Sequence, residues 1–176
     1  MQATLRPTGL ILISIFMLVA GCEREENNPL SGISQKENTT LSVESLLKSY
    51  SPADIVVHNG ESIQAAVNAA SAGAVIHIEP GVYAEAVAVS KSGIKLIGLS
   101  NPGGTGVIIQ NPGEEENGIT VTDNGDGFAL VNVTVRDFEE NGVLLDGVDS
   151  FLISHVQVID NGDYGIFPVH STHGVV

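Results

Sequence analysis

Three observations in the sequence predict a right-handed parallel β-helix. First, Phe128–Asp137 recurs as Phe151–Asp160 at a constant offset, so that Phe128 falls on Phe151, Leu130 on Ile153, Val133 on Val156, Val135 on Val158 and Asp137 on Asp160. A fixed offset with residue-type columns is the mark of a repeat architecture. Second, apolar residues alternate at 128 and 130, skip one place, and alternate again at 133 and 135. One skipped residue turns the inward face outward, so the strand must bend at Val131-Asn132 and, one repeat later, at Ser154-His155. Third, Gly118-Ile119, Asn141-Gly142-Val143 and Tyr164-Gly165-Ile166 recur at nearly the same offset and supply a third strand. The unit is a three-strand coil of about 23 residues, and coils stack in parallel ~4.8 Å apart.

Other architectures fit less well. A leucine-rich repeat needs a Leu-x-x-Leu-x-Leu signature that is missing here. A doubly wound sheet needs helices between strands, and the gaps leave no room for them. An antiparallel sandwich would not impose a constant offset.

Taken in order, residues 1–21 read as a signal peptide. One cation, Arg6, precedes the eleven-residue apolar run Leu10–Ala20, which is the length of a signal-peptide core and too short to span a bilayer comfortably. The following Val19-Ala20-Gly21-Cys22 resembles a bacterial lipobox. That resemblance implies acylation of the Cys22 sulfur and cleavage before it, with several acyl chains making a stable anchor where one would not. Residues 22–58 read as the lipidated cysteine and a flexible polar tether. The expected location is the bacterial cell envelope, lipid-anchored and facing periplasm or cell surface, and the lipid bilayer is the first expected partner.

Residues 59–176 read as the N-terminal part of the β-helix. Ile63, Ala66, Val67 and Ala70 form one face of a short helix, which Gly73 is expected to close. A strand follows at Ala74–Ile78, Pro80-Gly81 turns the chain, and apolar runs at 86–89, 94–97, 107–109 and 119–121 supply further strands. The stretches Ser62–Ala70 and Ile76–Val87 resemble the N-terminal cap helix and first coil of the pectin-lyase-like β-helix superfamily. The resemblance covers roughly residues 60–176. It implies a cap that covers the open apolar end of the stack, but it specifies no activity, because that superfamily hosts lyases, hydrolases, esterases, epimerases and non-catalytic modules.

Charge narrows the partners. The formal net charge is -14, and without residues 1–21 the chain keeps 6 Lys+Arg against 21 Asp+Glu. Such a surface repels phosphate backbones, so nucleic acid is excluded as a partner. The single cysteine, Cys22, allows no internal disulfide.

Few residues invite chemistry. Gly81-Val-Tyr83-Ala-Glu85 resembles the Gly-x-Tyr-x-Glu start of pectin methylesterases, whose catalytic carboxylate segments have no counterpart here, so Tyr83 and Glu85 read as coil structure. Tyr164-Gly-Ile-Phe-Pro-Val-His170 resembles the Tyr-Gly-Phe-Asp-Pro-His-Asp coil of alginate C5-epimerases. Phe167 and Val169 replace the Asp and His, and His170 is displaced by one residue. Tyr164 and His170 are therefore the catalytic candidates, for a modified proton-transfer site. Asp146, Asp149, Asp160 and Asp163, with Asp137, gather in turns. They are the substrate-binding candidates, although Asp also favours turns for its own backbone contacts. Stacked turn carboxylates could hold Ca²⁺, the one cofactor considered. His170 and His173 lack a third ligand, so no metal site is assigned. His77 and His155 are expected to be satisfied by hydrogen bonds.

The expected function is that of a cell-envelope lipoprotein whose β-helix binds or scaffolds polysaccharide. The alternatives are a polysaccharide-modifying enzyme, lyase or C5-epimerase-like, with its site largely beyond residue 176, and an adhesin-like partner-binding module. Val176 aligns with Ile153 and Leu130, inside a strand, so further coils are expected to follow.

Overall fold

The computed structural model describes residues 54–100, 106–122 and 124–176. Cys22, the expected leader and the expected tether up to residue 53 lie outside the described residues. What is described is a parallel β-solenoid with one short helix. Strands β1 (Ile55–Val57), β2 (Val75–Ile78), β5 (Lys95–Gly98), β8 (Ala129–Val131) and β11 (Leu152–Ser154) form the first sheet. The second holds β3 (Gly81–Ala84), β6 (Val107–Gln110), β9 (Val133–Arg136) and β12 (Gln157–Ile159). The third holds β4 (Val87–Val89), β7 (Asn117–Val121), β10 (Asn141–Asp146) and β13 (Tyr164–Val169). Every strand pair is parallel, and each coil visits the three sheets in turn.

The register reproduces the columns expected from the repeat. Val158 pairs with Val135, Ile153 with Leu130, and Val143 with both Ile119 and Ile166. Inward positions alternate along each strand: in β10, Val143 and Leu145 are fully buried while Leu144 is half-buried and Asp146 exposed. Phe128 and Phe151 are buried at equivalent positions of successive coils, and Gly174 continues their column. Its missing side chain leaves the space that the Phe151 ring fills. Val156 and Val158 face inward but are only half-buried, because they belong to the last full coil described.

The expected bends are corners in left-handed backbone. Asn132 has φ 57° and His155 φ 55°, and the Asp137–Asp160 column has φ 66° and 52°. At Asn132 the side-chain amide also donates to the Gly98 carbonyl at 2.7 Å, tying the corner to the coil beneath. A further corner column runs Gly73, Gly93, Gly127, Ser150, His173, all at positive φ. Successive members are joined by backbone bonds such as Gly127 N–H to Asp149 O at 3.0 Å. Glycine suits this conformation because it has no Cβ to clash.

Three details differ from the sequence reading. The solenoid begins before residue 59: Ile55–Val57 already pairs with Ile76–Ile78, so the expected tether boundary at 58 falls inside the first rung. Gly73 does not close the helix. Helix α1 (Ile63–Ala69) ends at Ala70 in extended backbone, and Gly73 instead starts the corner column. The even spacing of the repeat holds only for the later coils. In the first sheet Val75 pairs with Lys95, a short step, and Lys95 then pairs with Ala129, a much longer one. The extra residues fall between the strands, and the strands stay in register.

Helix α1 covers the first coils with Ile63, Val67 and Ala70, all buried. Its ends are held by residues distant in sequence. Glu85 accepts from the Ile63 N–H at 2.7 Å, the Gln64 N–H at 3.1 Å and the Ser62 hydroxyl at 2.8 Å. Lys91 donates to the carbonyls of Val67, Asn68 and Ala70 at 3.0, 2.7 and 2.8 Å. The helix itself has no acid in its first turn and no base in its last, so the coil beneath supplies both charges with the signs the helix dipole favours. Gln64 completes the attachment, accepting from the Ala88 N–H at 2.6 Å and donating to the Ala88 carbonyl at 3.1 Å.

Candidate functional site

The outward face of the third sheet carries the features that could meet a ligand. Pairing places Ala88, Thr120, Leu144 and Phe167 in one column, one residue per coil. Their inward neighbours, such as Val87, Ile119 and Val143, are buried in the tube, so this column points outside. Three rung spacings make it roughly 14 Å long.

One end of the column opens into a groove of about 430 Å³ lined by Gln64, Ala88, Glu114, Glu115, Glu116 and Thr120. The loop before β7 places the three glutamates there. Asn111 shapes that loop, its side chain accepting from the Gly113 and Glu115 N–H groups and donating to the Glu115 carbonyl.

At the other end Tyr164 and Phe167 stack with ring centroids 4.7 Å apart and planes 16° apart. Tyr164 is 56% exposed, on the edge strand of the third sheet. Asp163 is exposed and immediately precedes Tyr164. Asp146, which pairs in register with Val169, accepts from His170 Nδ1 at 3.1 Å.

The sequence-derived candidates are thus split. Tyr164 begins β13 and His170 follows its end, which at ~3.3 Å per residue sets them roughly 20 Å apart, so they cannot serve one carbon atom together. His170 lies past β13 in left-handed backbone with φ 48°. Asp160 is a left-handed corner residue stacked above Asp137, away from Asp146 and Asp149. Asp149 bonds to the Thr172 hydroxyl and to His173 Nδ1 at 2.7 Å. These two hydrogen bonds, Thr172's first, hold its carboxyl below the usual range.

His170 and His173 each take a different aspartate of the coil beneath, Asp146 and Asp149. Among the described residues no three His, Cys, Asp or Glu side chains converge as a metal site. His77 is buried against Asp54 at 3.0 Å, and His155 bonds to the Ser154 hydroxyl at 2.9 Å. Tyr83 is buried and donates to the Glu79 carbonyl at 2.7 Å. Burial, then the charges of Glu79, Glu61 and Glu85, raises its phenol above the ordinary value, keeping it a neutral donor. Tyr83 and Glu85 are therefore structural: one fills the core and the other caps α1.

Phe167 is the residue that sequence reasoning passed over, because it stands where a catalytic aspartate would be in the epimerase motif. Its position one repeat above the outward Leu144 was the available signal. No family model, curated protein or solved structure matches this chain.

Proposed function

We propose that this protein is a lipid-anchored component of the bacterial cell envelope whose pectin-lyase-like β-helix binds polysaccharide along the outward face of its third sheet. The carrying observation is the outward column itself, with the acidic groove at Ala88 and Thr120 and the stack of exposed Tyr164 on half-buried Phe167 at its far end. Sugar rings present apolar C–H faces that pack on aromatic rings, and their hydroxyls bond to carboxylates and amides. A rigid strand face spaces such groups regularly, as a linear polymer requires. The lipobox-like Val19–Cys22 supports the anchor. The catalytic alternative is less well supported, because Tyr164 and His170 lie too far apart to act on one sugar.

Affinity electrophoresis through gels containing soluble polysaccharides tests this reading. Retardation by at least one polysaccharide, lost in Phe167→Ala and Tyr164→Ala, is the expected outcome. Retardation that both variants retain in full would place binding elsewhere.

A further inference from the structure

We infer that the glycan is one bearing free amino groups, a polymer rich in non-acetylated amino sugar. This rests on the polysaccharide-binding reading above and names its substrate class. Both ends of the outward column are acidic: Glu114, Glu115 and Glu116 line the groove, and Asp163 and Asp146 flank the aromatic stack. From residue 96 to 176 the sequence holds twelve Asp and Glu and a single Lys or Arg, Arg136. That cation lies on β9, in the second sheet, where it bonds to Gln110 at 2.9 Å and lies 3.4 Å from Asp137. Strands β4, β7, β10 and β13 carry no Lys or Arg to receive a uronate or a sulfated sugar. A polyanion would meet like charge at both ends of the column.

An ammonium-bearing sugar reverses each of these terms. Its ring packs on the Tyr164–Phe167 stack, and a cation beside an exposed aromatic face is attracted by the ring quadrupole. The amino groups of successive residues meet carboxylates at both ends of the column. The charge attraction acts in solvent, so it is modest per contact and weakened by salt.

The test is calorimetric titration of the full chain in mild detergent with a hexamer of β-1,4-linked glucosamine, its fully N-acetylated counterpart, oligogalacturonate with and without Ca²⁺, and hexalysine. The glucosamine hexamer should bind roughly ten-fold more tightly than the acetylated one at low salt, and the gap should close as ionic strength rises. Asp163→Asn and Glu115→Gln should narrow the gap, while Phe167→Ala weakens both sugars. Equal or tighter binding of the acetylated hexamer, or preference for oligogalacturonate with Ca²⁺, overturns the amino-sugar assignment and leaves polysaccharide binding standing. Hexalysine binding as tightly as glucosamine also overturns it. If none of the oligosaccharides binds, this inference falls, and the gel retardation assay decides the reading beneath it.

Discussion

Glu85 and Lys91, on either side of β4, hold opposite ends of helix α1. The carboxylate takes the N-terminal N–H groups, and the ammonium takes the C-terminal carbonyls. A seven-residue helix is too short to persist alone, so these two side chains act as its caps. Glu85→Ala should cost about 1–2 kcal/mol, the range of a lost cap, and Lys91→Ala a similar or smaller amount. Both values would be read from denaturant midpoints at constant slope. Wild-type midpoints in both variants would show that the buried face, the Ser62 cap and Gln64 hold the helix without them.

The inward valine columns give a graded prediction. Val135 is fully buried and Val158, above it, is half-buried. Val135→Asp leaves an unpaired carboxylate in the core at a cost of several kcal/mol, roughly the transfer penalty of such a group. Val156→Asp, in the half-buried part of the neighbouring column, should cost distinctly less. Thermal unfolding of the two variants checks the order, and equal losses would contradict the register.

The corner column predicts a tolerated change. Ser150 sits at φ 61° between Gly127 and His173. A non-glycine residue there is strained by about 1–2 kcal/mol, so Ser150→Gly should unfold at the same denaturant concentration or a slightly higher one. A clear drop in midpoint would mean that the Ser150 side chain contributes more than its backbone costs.

Asp149 makes one end of the stack sensitive to acid. Its folded-state pKa lies below the ordinary 3.8, so its hydrogen bonds to Thr172 and His173 contribute stability above the unfolded value. That contribution is lost as pH falls through the lower folded value. Asp149→Asn should be less stable than wild type at pH 6, and the difference should shrink below pH about 4. A difference that stays constant from pH 6 to pH 3 would remove the carboxylate's charge from the account.

Cys22→Ser tests the anchor. The variant should stay uncleaved by the lipoprotein signal peptidase and take up no radiolabelled palmitate. Label entering the variant protein would dismiss Cys22 as the acylated residue.

What could be read from the sequence follows from where each contact lies. The valine, phenylalanine and aspartate columns were legible because stacked coils place like residues on like, and the skip before Val133 gave the corner at Asn132 directly. Glu85 was harder to read, since its partners Ser62 and Gln64 are more than twenty residues away and caps are normally sought within the helix itself. The long step from Lys95 to Ala129 could not be read from the later repeats, because chain added between strands carries no column to align. In the Tyr164–Phe167 stack the two positions differ by three along a strand, where alternation alone sends the side chains to opposite faces. Tyr164 escapes that rule because it opens β13 at an exposed position.

The unequal steps of the first sheet separate what can vary in this chain from what cannot. Pairing survives the short step from Val75 to Lys95, the long one to Ala129 and the intermediate one to Leu152, because added chain falls between strands and never enters one. Loop closure becomes only slightly more costly as a loop lengthens. Lineages carrying this scaffold could therefore rewrite the groove-forming loop before Asn117 by insertion or deletion while the interior stays untouched. The stretches between strands are the parts open to revision, and the groove is built from one of them.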